Sequence, residues 1–176
     1  SQLKSLQKVT LANWAPHPAI MPLSQPSNSK TPNPSNNVFY FVRTTCVRYL
    51  SLTSFDLRNI DGKVILPTNL NCLELHKCKF NCKSLIKVLT SAVKVSSPFV
   101  LSLSEMDIEN SELQQFYHES SKLQSFKNLV EFDYSCNPIP THFIKEFNRI
   151  FISPSLKFSS LNNVFGPDQI PDLAAI

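Results

Sequence analysis

Glycine is scarce in this sequence, with 2 residues in 176. Since an average protein contains about 7% glycine, glycine-rich phosphate-binding loops and tight two-residue hairpins are disfavoured. Turns must instead be made by proline, asparagine and serine. Because the sequence offers no phosphate-binding loop, we expect the protein to carry no cofactor.

The sequence also lacks long apolar runs and blocks of like charge. No window approaches the 18 or more apolar residues of a membrane span, and the opening segment SQLKSLQKVTLANW has no apolar run of signal-peptide length. The formal charge of +4 comes from 17 basic and 13 acidic residues mixed along the chain, which does not indicate nucleic-acid binding. The sequence therefore predicts a soluble, cytoplasmic protein that binds neither membranes nor nucleic acid.

Cysteine is too sparse for a fold held together by disulfides. The 5 cysteines are an odd number spread from Cys46 to Cys136, unlike the dense framework of a small secreted domain, so a reducing compartment is expected. Hydrophobic residues make up 42% of the chain, which is enough for a core in one domain or one short array.

An eleven-residue pattern recurs along the chain. In LVEFDYSCNPI, residues 129–139, apolar side chains stand at places one, four, six and eleven, and an asparagine stands at place nine. The same frame starts at positions 6, 47, 70, 98, 129 and 153, at intervals of 41, 23, 28, 31 and 24 residues. Places four and six lie two residues apart, so on an extended segment both side chains point to one side, while places three, five and seven point to the other. Each repeat therefore predicts one short strand whose inward side chains share a core.

The repeats resemble the leucine-rich repeat family over nearly the whole chain. Its pattern L-x-x-L-x-L-x-x-N/C-x-L is matched most closely by NLNCLELHKCKF and NLVEFDYSCNPI, where Cys78 and Asn137 at place nine can satisfy backbone groups as the chain turns. The resemblance implies an α/β solenoid of the ribonuclease-inhibitor-like subclass, with a curved parallel sheet on the concave face, helices on the convex face and about five to six irregular repeats. Apolar residues replace the polar place-nine residue at Trp14, Phe55, Met106 and Leu161.

Helical periodicity follows three of the predicted strands. Segments 83–95, 111–126 and 141–151 carry apolar residues at helical intervals. Asn81 or Ser84 can cap the first helix, and Ser111 with Gln114 fits a capping box for the second.

The sequence divides into a repeat array over residues 1–161, with an insert at 15–37, and a tail over 162–176. The insert APHPAIMPLSQPSNSKTPNPSNN holds 6 of the 13 prolines and predicts an exposed loop rather than part of the core. Repeat arrays need covered ends, and none is evident here, which predicts a fragment of a longer array. The alternative is that Phe165, Ile170 and Leu173 fold back as an irregular cap.

One cluster of residues suggests metal binding, and the repeat frame argues against it. Four residues of the types that bind zinc lie within eleven positions: Cys72, His76, Cys78 and Cys82. The frame, however, points Cys72 and His76 outward and Cys78 inward, and it places Cys82 near the start of a helix. No metal site is therefore expected.

Two pairs of residues are candidates for catalytic groups, and the sequence supports neither. Cys136 and His142 have no evident carboxylate to orient the imidazole. Glu131 and Asp133 could act as paired carboxylates, yet nothing in the surrounding sequence indicates a substrate pocket. We therefore expect no enzyme activity.

The remaining function is recognition of a partner by the side chains at the outward strand places. The resemblance to leucine-rich repeats implies that these side chains lie on the concave face. Their mixed polar, aromatic and apolar composition suits a protein partner. The predicted partner-binding residues are Lys8, Thr10, Tyr49, Ser51, Cys72, Glu74, His76, Val100, Ser102, Glu131, Asp133, Ser155 and Lys157.

Two classes of function stay open at this point. The first is a non-enzymatic interaction scaffold; SCNPIP followed by a phenylalanine-rich helix is similar to repeats of the CARMIL-type regulators of actin capping, which implies a cytoskeletal role, and a ciliary or microtubule-associated component is a related interpretation. The second is a substrate-recognition adaptor of a ubiquitin ligase or similar signalling enzyme, which would need an F-box-like module elsewhere in the protein.

Overall fold

The computed structural model describes residues 7–12, 39 and 46–162, which form an α/β fold around a six-stranded parallel sheet. The helices whose bounds are described are α1 (Cys82–Ala92), α2 (Asn110–Glu119) and α3 (Ile144–Phe151). Short 3-10 turns cover Ser120–Lys122 and Thr141–Phe143. The strands are β1 (Lys8–Ala12), β2 (Tyr49–Thr53), β3 (Cys72–His76), β4 (Lys79–Phe80), β5 (Phe99–Ser104), β6 (Asp107–Ile108), β7 (Leu129–Asp133) and β8 (Phe158–Ser160).

The large sheet follows the order of the chain. Its strands lie in the order β1-β2-β3-β5-β7-β8, and β4 pairs with β6 in a separate two-stranded sheet. Every neighbouring pair is parallel, so the chain returns to the same end of the sheet before each new strand. Leu50, Leu73, Leu101 and Phe132 are register partners across four strands. This register confirms the eleven-residue frame for the repeats that start at 47, 70, 98 and 129. In the repeat that starts at 6, Val9 pairs with Leu50 as predicted, but Leu11, expected to point into the core at place six, is 37% exposed.

The frame predicted for the sixth repeat is wrong. Phe158 was expected to point inward at place six, but it pairs with Glu131 at place three and is 60% exposed. Lys157 and Ser155, predicted at outward strand places, precede β8 instead. The cause is physical: the serine-rich segment SPSLKFSS has too few apolar residues to specify which side chains face the core.

The inward side chains form one continuous core with the helices. Leu73, Leu75, Leu101 and Leu103 are fully buried together with the apolar face of α1. Towards β8 the leucines give way to stacked aromatic rings, such as Phe132 and Phe151, whose centroids lie 4.6 Å apart. Such ring pairs contribute about 0.5–1.5 kcal/mol beyond their buried area. At the other end, Leu11 of β1 is partly exposed.

The predicted N-terminal cap is confirmed for α1 but not for α2. Asn81 caps α1: its side chain accepts from the Ser84 amide at 2.8 Å, and the Ser84 hydroxyl completes the capping box. The capping box predicted for Ser111 is wrong, because α2 starts after Glu109 and has no side-chain cap. The helix predicted to extend to residue 126 ends at Glu119. Directly after it, the hydroxyl groups of Ser120 and Ser121 donate to carbonyl groups of the last helical turn.

A backbone feature at place eight was not predicted. Ser54, Lys77, Glu105 and Cys136 have φ between 50° and 63°, the left-handed region that usually favours glycine. Each follows a strand, and its N–H donates to the neighbouring chain segment at 2.8–3.1 Å. Because glycine is scarce, polar side chains occupy this turn, and the ladder of backbone hydrogen bonds continues past the strands.

Place nine behaves as the frame predicts where its residue is polar. The Cys78 thiol faces the Leu52 carbonyl at 3.5 Å, and the buried Asn137 side chain binds the backbone of both its own and the preceding repeat. Met106 stands at the same place in the repeat between them. The inner hydrogen bonding between repeats is therefore intermittent.

Several predictions lie outside the described residues. These concern the insert at 15–37, Trp14 and the cap residues Phe165, Ile170 and Leu173. Within the described part of the chain, no helix combines the length and apolar character needed to cross a membrane.

Candidate functional site

The outward side chains of the large sheet form a surface that we call the strand face. Strand register aligns them in rows across the sheet, with neighbouring strands about 4.8 Å apart. The place-three row contains Lys8, Tyr49, Cys72, Val100, Glu131 and Phe158, and the place-five row contains Thr10, Ser51, Glu74, Ser102, Asp133 and Ser160.

Most of the predicted partner-binding residues are brought together on this face, at different depths. Lys8, Thr10 and Glu131 are exposed, whereas Ser51 and Cys72 are only 7% and 8% exposed and form its floor. The half-buried members are Tyr49, Glu74, His76, Val100, Ser102 and Asp133. Phe158 was missed as a member, because its register could not be assigned from the sequence.

One polar cluster lies over β1, β2 and β3. The Lys8 ammonium is 4.2 Å from the centre of the Tyr49 ring, a cation–π contact. The Tyr49 hydroxyl donates a short hydrogen bond to the Glu74 carboxylate. Burial, together with this hydrogen bond and the negative charge of Glu74, raises the pKa of Tyr49 to about 12, so its hydroxyl remains a donor at neutral pH.

Cys72 is not an activated thiol. Its Sγ lies 3.8 Å from a Glu74 oxygen, and burial followed by the Glu74 charge raises the pKa of the thiol to about 12. Nucleophilic cysteines need the opposite environment, in which nearby cations lower the pKa. Cys72 therefore serves as packing beneath the face.

A second polar cluster surrounds Asp133. Its carboxylate accepts from the Ser102 hydroxyl and from the Ser135 amide, both at 2.9 Å. Burial alone would raise the pKa of Asp133, but these hydrogen bonds together outweigh it and lower that pKa. Asp133 is thus a fixed anion beside the exposed Glu131. Together with Glu74, these two residues give the strand face between β3 and β7 a negative charge.

His76 lies at the end of β3 among polar neighbours. Its Nδ1 is 2.9 Å from the Ser104 hydroxyl and its Nε2 is 3.8 Å from a Glu105 carboxylate oxygen. A serine, a histidine and a carboxylate also form hydrolase triads, but catalysis needs a cavity that holds the substrate. Two clefts among the described residues, of about 530 and 300 Å³, are lined by other side chains.

The four zinc-ligand candidates do not converge on one point. Cys72 faces Glu74, His76 faces Ser104, Cys78 faces the Leu52 carbonyl, and Cys82 starts α1. Among the described residues, no three histidine, cysteine, aspartate or glutamate side chains are arranged to hold a metal ion.

The Cys136 and His142 side chains are likewise placed in different environments. Cys136 is exposed in the left-handed turn after β7. The His142 ring packs edge-on against Tyr117 at 6.3 Å.

No protein-family model matches this chain, and no curated protein or solved structure matches it.

Proposed function

We propose that this protein is a non-enzymatic interaction scaffold built on leucine-rich repeats, which binds a protein partner on its strand face. The observation that carries the proposal is the strand register, which gathers side chains from six separate segments into aligned rows on one surface. Rows of adjustable side chains on a rigid sheet suit the recognition of a macromolecule rather than of a small substrate.

The repeat pattern supports the family assignment within this proposal. Leucines at places four and six are buried in adjacent repeats, and Cys78 and Asn137 at place nine hydrogen-bond to the preceding repeat. Helices follow β3, β5 and β7, with α1 and α2 in contact through the Glu112 carboxylate, which accepts from the Cys82 amide at 2.8 Å. In a solenoid of this kind the strand face would be concave.

The chemistry of the strand face indicates the kind of partner. Glu74, Glu131 and Asp133 present carboxylates, and Tyr49 and the exposed Phe158 present aromatic surface. Aromatic anchors surrounded by charge are typical of protein interfaces. We therefore expect a partner segment that combines basic side chains with apolar ones, bound through a salt-sensitive contact.

More specifically, we propose that the scaffold acts in the cytoplasm as a cytoskeletal component. This proposal rests on the similarity of SCNPIP and the helix after it to repeats of CARMIL-type regulators. A ciliary or microtubule-associated component would use the same surface. The alternative, a ubiquitin-ligase adaptor, predicts that ligase subunits accompany the protein.

The test is affinity isolation with the intact chain from cell extract. The wild type is compared with the variant Glu131→Gln/Asp133→Asn, which removes two negative charges from the strand face, and with the control Glu109→Gln/Glu119→Gln, which removes two from the ends of α2. Partners retained by the wild type and the control, but lost from the strand-face variant, would support the proposal. Equal recovery of every partner by all three proteins would contradict it.

A further inference from the structure

A groove separate from the strand face lies between α1 and the segment 63–66. It has a volume of about 300 Å³, and its lining contains none of the strand-face residues. Along the segment KVIL, the side chains alternate between outward Lys63 and Ile65 and buried Val64 and Leu66. This period of two is that of an extended chain, and Pro67 after it favours the same conformation at Leu66.

The backbone of this segment has no hydrogen-bond partner within the described residues at three positions, of which Lys63 and Ile65 are not buried. Within the described residues, the N–H and C=O groups of Lys63, Val64 and Ile65 make no hydrogen bond. The segment is anchored at its end, where the Leu66 amide donates to the Ser91 hydroxyl of α1 at 2.8 Å. An extended segment with unpaired backbone groups is a template for an added strand.

The side chains of the groove select the chemistry of such a strand. Ile65 of the segment and Ile86 of α1 give it apolar walls. Lys63, Lys87 and Lys94 also line it, and no acidic residue does. Lys87 is held in place by donating to the Ile60 carbonyl at 2.7 Å.

We propose that this groove binds an extended peptide segment of a partner protein in which acidic and apolar side chains alternate. The backbone of the peptide pairs with Lys63 and Ile65, which lie two residues apart and so present their N–H and C=O groups to the same edge. Its apolar side chains pack on Ile65 and Ile86, and its carboxylates meet the three lysines. The site would give the scaffold a second docking point that does not compete with the strand face.

The proposal is tested with the labelled hexapeptide acetyl-EVDLEV-amide and the intact chain, using fluorescence anisotropy at low salt. We expect saturable binding, which weakens at least tenfold for the variant Lys63→Glu/Lys94→Glu. The control Lys122→Glu/Lys127→Glu reverses two exposed lysines outside the groove and should bind as the wild type does. The strand-face variant Glu131→Gln/Asp133→Asn should also bind unchanged, which separates this site from the proposed function.

Two altered peptides test the mode of binding. N-methylation at alternate residues removes backbone donors without changing charge, and we expect it to weaken binding at least tenfold. The peptide acetyl-KVKLKV-amide should not bind. Equal binding of the methylated peptide, or binding that is unaffected by the lysine reversals, would overturn the proposal.

The remaining outcomes concern other occupants of the groove. Binding to phosphatidylserine vesicles through the same lysines, without binding of the peptide, would identify a lipid surface and overturn the proposal. The chain itself carries an acidic and apolar sequence, PDQIPDLAAI, at residues 167–176. If Asp168→Lys/Asp172→Lys in the intact chain raised peptide affinity tenfold, the occupant would be this segment rather than a partner.

Discussion

The side-chain amide of Asn137 donates a hydrogen bond of 2.5 Å to the carbonyl oxygen of Leu103, the inward residue of the neighbouring strand β5. The same side chain accepts from the Met106 amide at 2.7 Å. One buried residue of the fifth repeat therefore satisfies two backbone groups of the fourth repeat, where the chain leaves the sheet and turns.

The variant Asn137→Ala is expected to lower the free energy of unfolding by about 2–4 kcal/mol. The reason is that the buried Leu103 carbonyl and the part-buried Met106 amide lose their partner, at about 1–3 kcal/mol for a fully buried group and less for a partly buried one. Urea titration measures the loss, with Asn162→Ala, an exposed asparagine, as a control that should change stability by less than about 0.5 kcal/mol. Equal effects of the two substitutions would show that the inner hydrogen bonds do not support the array.

A second prediction concerns two tyrosines in the aromatic part of the core. Among the described residues, the Tyr134 hydroxyl is the buried side-chain polar group that makes no hydrogen bond of good geometry, although the Tyr117 hydroxyl is close enough to influence it electrostatically. The Tyr117 hydroxyl donates to the Pro138 carbonyl at 2.7 Å. Burial raises the pKa of both hydroxyls, so both stay protonated at neutral pH.

The two tyrosine-to-phenylalanine substitutions should therefore have opposite effects. Tyr134→Phe removes a buried hydroxyl that lacks a well-formed hydrogen bond and is expected to raise the free energy of unfolding by up to about 1 kcal/mol. Tyr117→Phe breaks a hydrogen bond and should lower it by about 1 kcal/mol. Thermal and urea unfolding both report the difference, and a loss of stability in both variants would mean that Tyr134 has a partner in solution.

The left-handed residue after β2 gives a third prediction. Ser54 has a φ of 63°, where a β-branched side chain is strongly disfavoured. We expect Ser54→Val to cost about 1–2 kcal/mol, whereas Ser54→Gly leaves stability nearly unchanged. The neighbouring change Thr53→Val, within β2, replaces one β-branched residue by another and serves as the control in the same unfolding assay. If Ser54→Val and Thr53→Val were equally harmless, the turn would not need the left-handed conformation.

A fourth prediction follows from the ionisation of Asp133. Because its hydrogen bonds lower the pKa of this carboxyl in the folded state, its contribution to stability is present above the unfolded value of about 3.9. That contribution is lost as the pH falls towards the folded pKa. The stability difference between the wild type and Asp133→Asn should therefore shrink as urea titrations are repeated from about pH 6 down to about pH 2.5. A difference that stays constant over this range would contradict the role assigned to the charge, and Glu109→Gln is the exposed control.

The predictions drawn from the sequence succeeded where the apolar pattern was strong. Leucines two residues apart specified which side of β2, β3 and β5 faces the core, since a shift of one residue would have exposed them all. They failed at β8, where Ser159 and Ser160 provide no such constraint. The cap of α2 was misassigned for a similar reason, because Ser111 followed by Gln114 is a short local pattern that the surrounding chain overrides.

The sequence by itself determined the extended segments, their inward side chains and the residues that turn away from the core, because the burial of apolar side chains such as leucine is the main driving force of folding. Only the tertiary structure decided how these segments pair. Pairing aligns Glu74 with Ser102 across neighbouring strands, brings the Tyr49 hydroxyl to Glu74 and leaves the backbone at residues 63–65 unpaired beside α1. The strand contacts join residues 23 or more positions apart in the chain, and no local preference of a single segment encodes such a distance.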